Sequence, residues 1–175
     1  MTTSGRHWYI GMEKKEEFTQ KDDYVVGVIS DTHGLLRPEV LQAFEKVDLV
    51  LHAGDIGGPE VLDALRKLAP VTAVRGNMDY GTWAGKLSET ERLDLGGITI
   101  FMIHDMFGVH FGHTADNDVQ VVISGHTHRP HIERRLNILF LNPGSAGYHR
   151  SLYPVSVGLL FIRKGRPNAE IITLG

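Results

Sequence analysis

Tyr24-Val25-Val26-Gly27-Val28-Ile29-Ser30, followed at once by Asp31-Thr32-His33, is the stretch that decides the fold. It is a continuous apolar run rich in β-branched residues, as in a strand buried on both faces. Downstream, Pro38 suits the first turn of a helix whose apolar residues Val40, Leu41, Phe44 and Val47 fall at helical spacings. Residues 49–53 read as a second buried strand. Pro59 opens a second helix with the stripe Val61, Leu62, Leu65 and Leu68, Pro70 marks its end, and residues 71–74 read as a third strand. This β-α-β-α-β order with short connections implies right-handed crossovers and a parallel sheet.

Beyond Asn77 the pattern becomes β-rich. Residues 92–95 and 98–103 flank Gly96-Gly97, a hairpin signal. Further strands are expected at 119–124, 138–141, 155–162 and 169–173. Residues 1–23 are polar, carry a charge cluster at 13–17 and keep no hydrophobic period. They read as a flexible extension before a single domain spanning 24–175.

In open α/β sheets, ligands gather at the carboxyl ends of the strands. The polar residues here fall at those ends: Asp31 and His33, Asp55 after Gly54, Asn77 after Gly76, His104 after the strand at 98–103, and His126-Thr127-His128 after Gly125. Each cluster alone has a plainer explanation. Asp31 could cap a helix, Gly54-Asp55 could make a turn, and Asn77 could hold a left-handed turn position. Together, ligand-type residues at five strand ends point to one metal site. In His126-Thr127-His128, residues two apart on an extended segment would face the same way. His110 and His113 rival His104, which is preferred because it ends a strong strand.

Composition narrows the chemistry. The 175-residue chain is 42% hydrophobic and 22% charged, as an ordinary globular domain is. It has no cysteine, so metal donors must come from its 10 histidines and its Asp, Glu and Asn residues. A net charge of -3 argues against a nucleic-acid partner. No signal-peptide core is visible and no segment approaches ~18 apolar residues, so a cytoplasmic protein without membrane contact is expected.

Asp-x-His, Gly-Asp, Gly-Asn, His and Gly-His-x-His, in that order, resemble the calcineurin-like metallophosphoesterases, from about Val25 onward. Asn142-Pro143-Gly144-Ser145 is similar to the small bacterial and archaeal phosphodiesterase branch. The resemblance implies an α/β fold of two mixed β-sheets packed as a sandwich flanked by helices. It implies that Asp31, His33 and His128 hold one metal, that Asn77, His104 and His126 hold a second, and that Asp55 bridges them with one oxygen to each. Two metals ~3.5–4 Å apart would hold a bridging hydroxide as the nucleophile. Asp55, Asn77 and His104 would then be catalytic, and the substrate a small phosphate ester.

Mn²⁺ is the expected pair of ions, with Zn²⁺, Fe²⁺, Ni²⁺ or Co²⁺ as alternatives suited to mixed N/O donors. Asn77 and Arg129 are candidates for substrate contact, with Arg37 and Arg150 as further cations near the site loops. His131 and His149 are rim candidates.

Two departures matter. Met78 stands where the wider family has His, and methionine has no proton to donate. The small phosphodiesterase branch also lacks that His, which favours diesters over monoesters. Asp105 and Met106 follow His104 where glycine is usual, and Asp105 could act as an added acceptor near the second metal. Arg75 and Asp79 read as an ion pair bracing the Gly76-Asn77 turn. His52 reads as a hydrogen-bonded core residue, and Met102, Met106 and Phe107 as core. The competing reading is a protein-binding scaffold of the same fold with weak or no catalysis. A homo-oligomer is left open.

Overall fold

The computed structural model describes residues 21–107, 109, 118–149 and 152–175. The deciding run forms β1 (Asp23–Ile29), which pairs in parallel with β2 (Leu49–His52), and β2 pairs in parallel with β3 (Val71–Ala73). The crossovers are α1 (Pro38–Ala43) and α2 (Pro59–Leu65), each opening on its proline. Both helices stop short of the expected stripes. Val47 lies beyond α1, and Leu68 lies beyond α2 and is 37% exposed. On the other side of β1, β9 (Ser156–Arg163) pairs antiparallel, and β10 (Arg166–Thr173) extends the sheet to the order β10-β9-β1-β2-β3.

The second sheet contains β4 (Thr90–Leu95), β5 (Ile98–Ile103), β6 (Val119–Ile123), β7 (His131–Arg135) and β8 (Ile138–Asn142), in the order β4-β5-β6-β8-β7. Gly96 and Gly97, at φ 56° and 80°, turn the β4–β5 hairpin. The pairs β5–β6 and β6–β8 are parallel and the outer pairs antiparallel, so both sheets are mixed. Two elements left no signal in the sequence. β7 is exposed at every position and polar at most, so it shows no alternation of apolar and polar residues. A short 3₁₀ turn spans Ala84–Lys86.

Alternation decides which face each strand residue takes. Val26, Val28, Leu49 and Leu51 pack against Ile100, Met102, Val121, Ile123 and Leu141 between the sheets. Ile29 and Val50 face the helices, against Val40, Phe44, Val61 and Leu65. Gly27 allows α1 to close on the sheet, because a Cβ there would meet the Phe44 ring at 2.9 Å. No helix among the described residues is long and apolar enough to cross a membrane.

His52 is fully buried on β2, as the sequence implies. The Gly54 N–H donates to its Nδ1 at 3.2 Å, so the ring proton sits on Nε2 and is donated to Thr32 Oγ1 at 2.9 Å. The Thr32 hydroxyl in turn donates to the Ile56 carbonyl at 2.8 Å. This chain ties β1 to the loop after β2. Burial, partly offset by Asp31, pushes the His52 pKa down to about 3.

Unfolded His52 therefore takes a proton below pH ~6.5 that the folded residue refuses. Stability present above that pH is lost as pH falls toward 3, with a slope approaching ~1.4 kcal/mol per pH unit from this group. Urea unfolding of metal-free protein from pH 8 to pH 5 should show that slope, and His52→Gln should flatten it. Parallel losses in the two proteins would assign the slope to other groups.

Candidate metal centre

The parallel strands of both sheets point their carboxyl ends at one region, and the backbone there is strained. Asp31, His33, Asp55, His126 and His128 all have positive φ, between 48° and 67°. Among the described residues, the other non-glycine positions with positive φ are Leu136, Asn137 and Lys164, in the β7–β8 and β9–β10 turns. A left-handed conformation costs ~1–2 kcal/mol for a residue with a Cβ. Asp and His adopt it more readily than most. Five strained residues with donor side chains in one place mark a site held in shape by its surroundings.

The glycines before the donors allow the close approach. A Cβ at Gly76 would lie 2.1 Å from the backbone nitrogen and Oδ1 of Asp55. At Gly125 it would lie 1.9 Å from Ser30 Oγ and 2.9 Å from Asp31 Oδ2. The loops after β3 and β6 thus rest directly on the two carboxylates.

Asp31 is sealed from solvent. Its Oδ2 accepts hydrogen bonds from Ser30 Oγ at 2.5 Å and from the His126 backbone nitrogen at 3.1 Å. Its Oδ1 has no hydrogen-bond partner among the described residues, although His128 Nε2 lies 3.2 Å away and His33 Nε2 4.0 Å away. His33 Nε2 is also unpartnered there. The His33 and His128 rings stack with centroids 5.4 Å apart. A buried carboxylate oxygen facing two imidazole nitrogens is an arrangement that a cation satisfies.

The second half is built around Asp55 and Asn77. Asp55 Oδ1 is taken by the Met78 backbone N–H at 2.7 Å. Its Oδ2 lies 3.4 Å from His104 Nε2 and 4.0 Å from His33 Nε2. Asp55 Oδ2 thus lies near nitrogens of both halves, while Oδ1 accepts the Met78 N–H. His104 donates from Nδ1 to the Ala53 carbonyl at 2.7 Å, so its Nε2 presents a lone pair to Asn77 Oδ1 at 3.0 Å. His126 Nδ1 also lies 3.0 Å from Asn77 Oδ1. An amide oxygen, a carboxylate oxygen and two imidazoles thus converge, a set of donor atoms that a cation suits.

The titrations agree in sign. Burial would lower the His104 pKa, but the bonds to Asp55 and Ala53 and the charges of Asp31 and Asp55 raise it. Burial would raise the Asp55 pKa, but His104, the Met78 N–H and the charge of His33 hold it below the usual carboxylate range.

Contacts therefore link all seven sequence candidates in one cluster, through Asp31, His128, His33, Asp55, His104, Asn77 and His126. Two ligand-type groups stand out by distance, Asp31 with His33 and His128, and Asp31 with Asp55 and His104. His126 and His128 are not on the extended segment that the sequence spacing assumed. Both sit in left-handed backbone, and one ring serves Asn77 while the other serves Asp31.

Other expectations change. Arg75 pairs with Glu89, while Asp79 braces the turn by itself, accepting from the Gly57 and Gly76 backbone at 2.9 and 2.8 Å. Phe107 is 92% exposed and not core, whereas Met102 is buried. Arg37 is engaged with the Gly147 carbonyl at 2.7 Å, and Arg129 is exposed beside His128. His131 is exposed and pairs with Glu133, and His149 is exposed. His110, His113 and Arg150 lie outside the described residues.

Sequence reading underrated the residues that hold the donors in place. Asn142 donates to the Gly125 carbonyl at 2.7 Å and to Thr127 Oγ1 at 3.1 Å. Ser145 Oγ donates to the Asp31 carbonyl at 3.1 Å. The Asn142-Pro143-Gly144-Ser145 motif was their visible signal.

The chain belongs to the calcineurin-like phosphoesterase superfamily, whose domain profile matches residues 25–165. It is similar to a probable metallophosphoesterase of Methanothermobacter thermautotrophicus, with 41% identity over 86% of this chain and 93% of that protein. It is also similar to one of Methanocaldococcus jannaschii, with 40% identity over 69% and 67% of the two chains. Among solved structures it resembles a Streptococcus pneumoniae protein described as a predicted phosphoesterase, at 27% identity and TM-score 0.67, covering 86% of this chain and 90% of that one. It also resembles Vps29 of Entamoeba histolytica complexed with zinc, at 27% identity and TM-score 0.63, covering 85% and 98%. The donor set and the family together imply divalent metal ions.

The strain at His33 has a measurable sign. At an ordinary position Ala is more stabilising than Gly, but at φ 48° the order inverts. In metal-free protein, His33→Gly should exceed His33→Ala in unfolding free energy by ~1 kcal/mol. Equal stability, or Ala ahead of Gly, would remove the case for strain.

Proposed function

We propose that the chain is a dinuclear-metal phosphodiesterase. Asp31, His33 and His128 would hold one ion, Asn77, His104 and His126 would hold the other, and Asp55 would be shared between them. The observation that carries this reading is the position of Asp55 Oδ2 between His33 Nε2 and His104 Nε2, with Oδ1 already engaged by Met78. The donors are nitrogen and oxygen only, which suits Mn²⁺, the proposed working ion, as well as Zn²⁺, Fe²⁺, Ni²⁺ and Co²⁺. Bound cations would lower the pKa of water toward neutrality and draw charge from phosphoryl oxygens.

The chain's own groups define the rest. With Asn77 Oδ1 turned inward, its amide NH₂ is left to donate to a phosphoryl oxygen. Arg129, exposed beside His128, is the proposed cation for an anionic substrate. Asp31 and Asp55 would offset part of the charge of two divalent ions, which weakens the pull on the extra negative charge of a monoester. Met78 has no proton to give, so the leaving group departs unassisted from that side.

The second reading, a protein-binding scaffold, rests on the likeness to Vps29. Turnover of a phosphodiester that is abolished by Asp55→Ala would decide for the enzyme. Absence of turnover with every divalent ion would decide for the scaffold.

Two outcomes are expected. In elemental analysis, Asp55→Asn should lose both ions together, whereas His33→Ala should lose mainly one. Equal loss of a single ion in each variant would count against a shared carboxylate. In kinetics, kcat/KM should be higher for an aryl phosphodiester than for an alkyl phosphomonoester. Met78→His should raise the monoester rate, by up to the ~10²–10⁴-fold that positioned general acids contribute. Wild-type protein that cleaves both substrates equally well under saturating Mn²⁺ would refute this account of Met78.

A further inference from the structure

We infer that Met78, Tyr80 and Phe107 form an apolar lip beside the Asn77–His104–His126 half of the site, which receives a planar aromatic group carried by the phosphate ester. The inference rests on the phosphoesterase reading of that site and adds a substrate class to it. The three side chains are 51%, 68% and 92% exposed, and each lies within three residues of Asn77 or His104. Of the other exposed large apolar residues among those described, Leu41 is on α1, Leu68 just past α2, Ile132 on β7 and Leu136 in the β7–β8 turn, while Tyr148 and Leu152 lie in the loop before β9.

Contacts place the lip on two sides of one subsite. Asp105 Oδ1 accepts the Phe107 backbone N–H at 2.9 Å, and Asp105 Oδ2 lies 3.7 Å from His126 Nε2. The other nitrogen of His126 lies 3.0 Å from Asn77 Oδ1, and Met78 follows Asn77. The Tyr80 hydroxyl donates to Met78 Sδ at 3.9 Å, which holds those two side chains together. The Met78 backbone is anchored on Asp55 Oδ1 at 2.7 Å, so this side of the lip is fixed to the carboxylate between the two halves.

Three apolar side chains left in water next to a polar centre gain from being covered. Phenyl and phenol rings together with a thioether make favourable contacts with an aromatic ring. The absence of an acid at Met78 selects in the same direction. An ester whose leaving group is stable as an anion needs no proton, and an aryl oxide supplies both that stability and a ring for the lip. A nucleobase would offer the same flat face, so the two sources of aromatic chemistry have to be separated by experiment.

Initial-rate competition against a reporter phosphodiester on metal-loaded protein can use three monoanionic diester analogues, the methyl, phenyl and adenosine 5′ esters of methylphosphonate, whose inhibition constants compare binding even where an ester is itself cleaved. Binding of the phenyl ester, the adenosine ester or both about tenfold tighter than the methyl ester is the expected result. Which of them gains identifies the source of the ring. In Tyr80→Ser/Phe107→Ser, that preference should shrink to about twofold while methyl ester affinity is unchanged. Phe107→Ser alone, at a side chain with almost no packing to lose, should give a partial reduction and guards against misfolding of the double variant. Equal binding of all three esters by the wild type, or an undiminished preference in the variants, overturns the lip while leaving the metal centre in place. Failure of every ester to compete overturns the lip, and absence of reporter turnover overturns the phosphoesterase reading and the lip with it.

Discussion

A carboxylate shut away from water where the two sheets meet is the constraint around which this molecule is arranged. An ionised group costs several kcal/mol to bury unless its oxygens are satisfied. Ser30 and the His126 backbone satisfy one oxygen of Asp31, and the other lies 3.2 and 4.0 Å from imidazole nitrogens of His128 and His33 without a hydrogen-bond partner among the described residues. Much of the nearby packing keeps that carboxylate where it is. Gly125 and Gly147 allow backbone to lie against Ser30, Asp31 and Thr32. Ser145 and the Ala146 backbone bind the carbonyls of Asp31 and Ser30. The price of this arrangement is a centre that is electrostatically incomplete without positive charge.

Strain and support are distributed in a consistent way. The donors adopt backbone conformations that side-chain-bearing residues disfavour, while the elements behind them are ordinary strands with a dense core. Below the donors, the chain from Gly54 through His52 and Thr32 to Ile56 is fully hydrogen-bonded. That rigid base allows five left-handed residues to persist above it. The same division explains why His52 and His104, both buried, differ in titration. His52 is enclosed by neutral hydrogen-bonding groups, whereas His104 lies 3.4 Å from the Asp55 carboxylate, whose charge favours its protonated form.

The elements that were legible in the sequence are those whose apolar pattern reports burial. Residues of β1, β2, β5 and β6 are buried along nearly their whole length, so their β-branched runs showed plainly. β7 escaped notice because an exposed edge strand keeps its place by backbone pairing with β8, and backbone pairing leaves no trace in side-chain type. The helix ends were misjudged for a related reason. Val47 and Leu68 keep the helical spacing but lie past the last helical residue, in tighter turns bonded to the Phe44 and Leu65 carbonyls, a change of backbone bonding that side-chain spacing does not report.

For the site, the order Asp31, His33, Asp55, Asn77, His104, His126 and His128 at successive strand ends was determined by the sequence alone, because strand ends are local features. Which atoms meet was decided only by the tertiary structure. The sequence contains nothing that assigns Asp55 Oδ1 to Met78 and leaves Oδ2 between the two halves. Nor does it turn His126 toward Asn77 and His128 toward Asp31, or pair Arg75 with Glu89 rather than Asp79. These outcomes depend on φ angles and on contacts between residues tens of positions apart. Such contacts exist only once the two sheets have packed and brought their strand ends together.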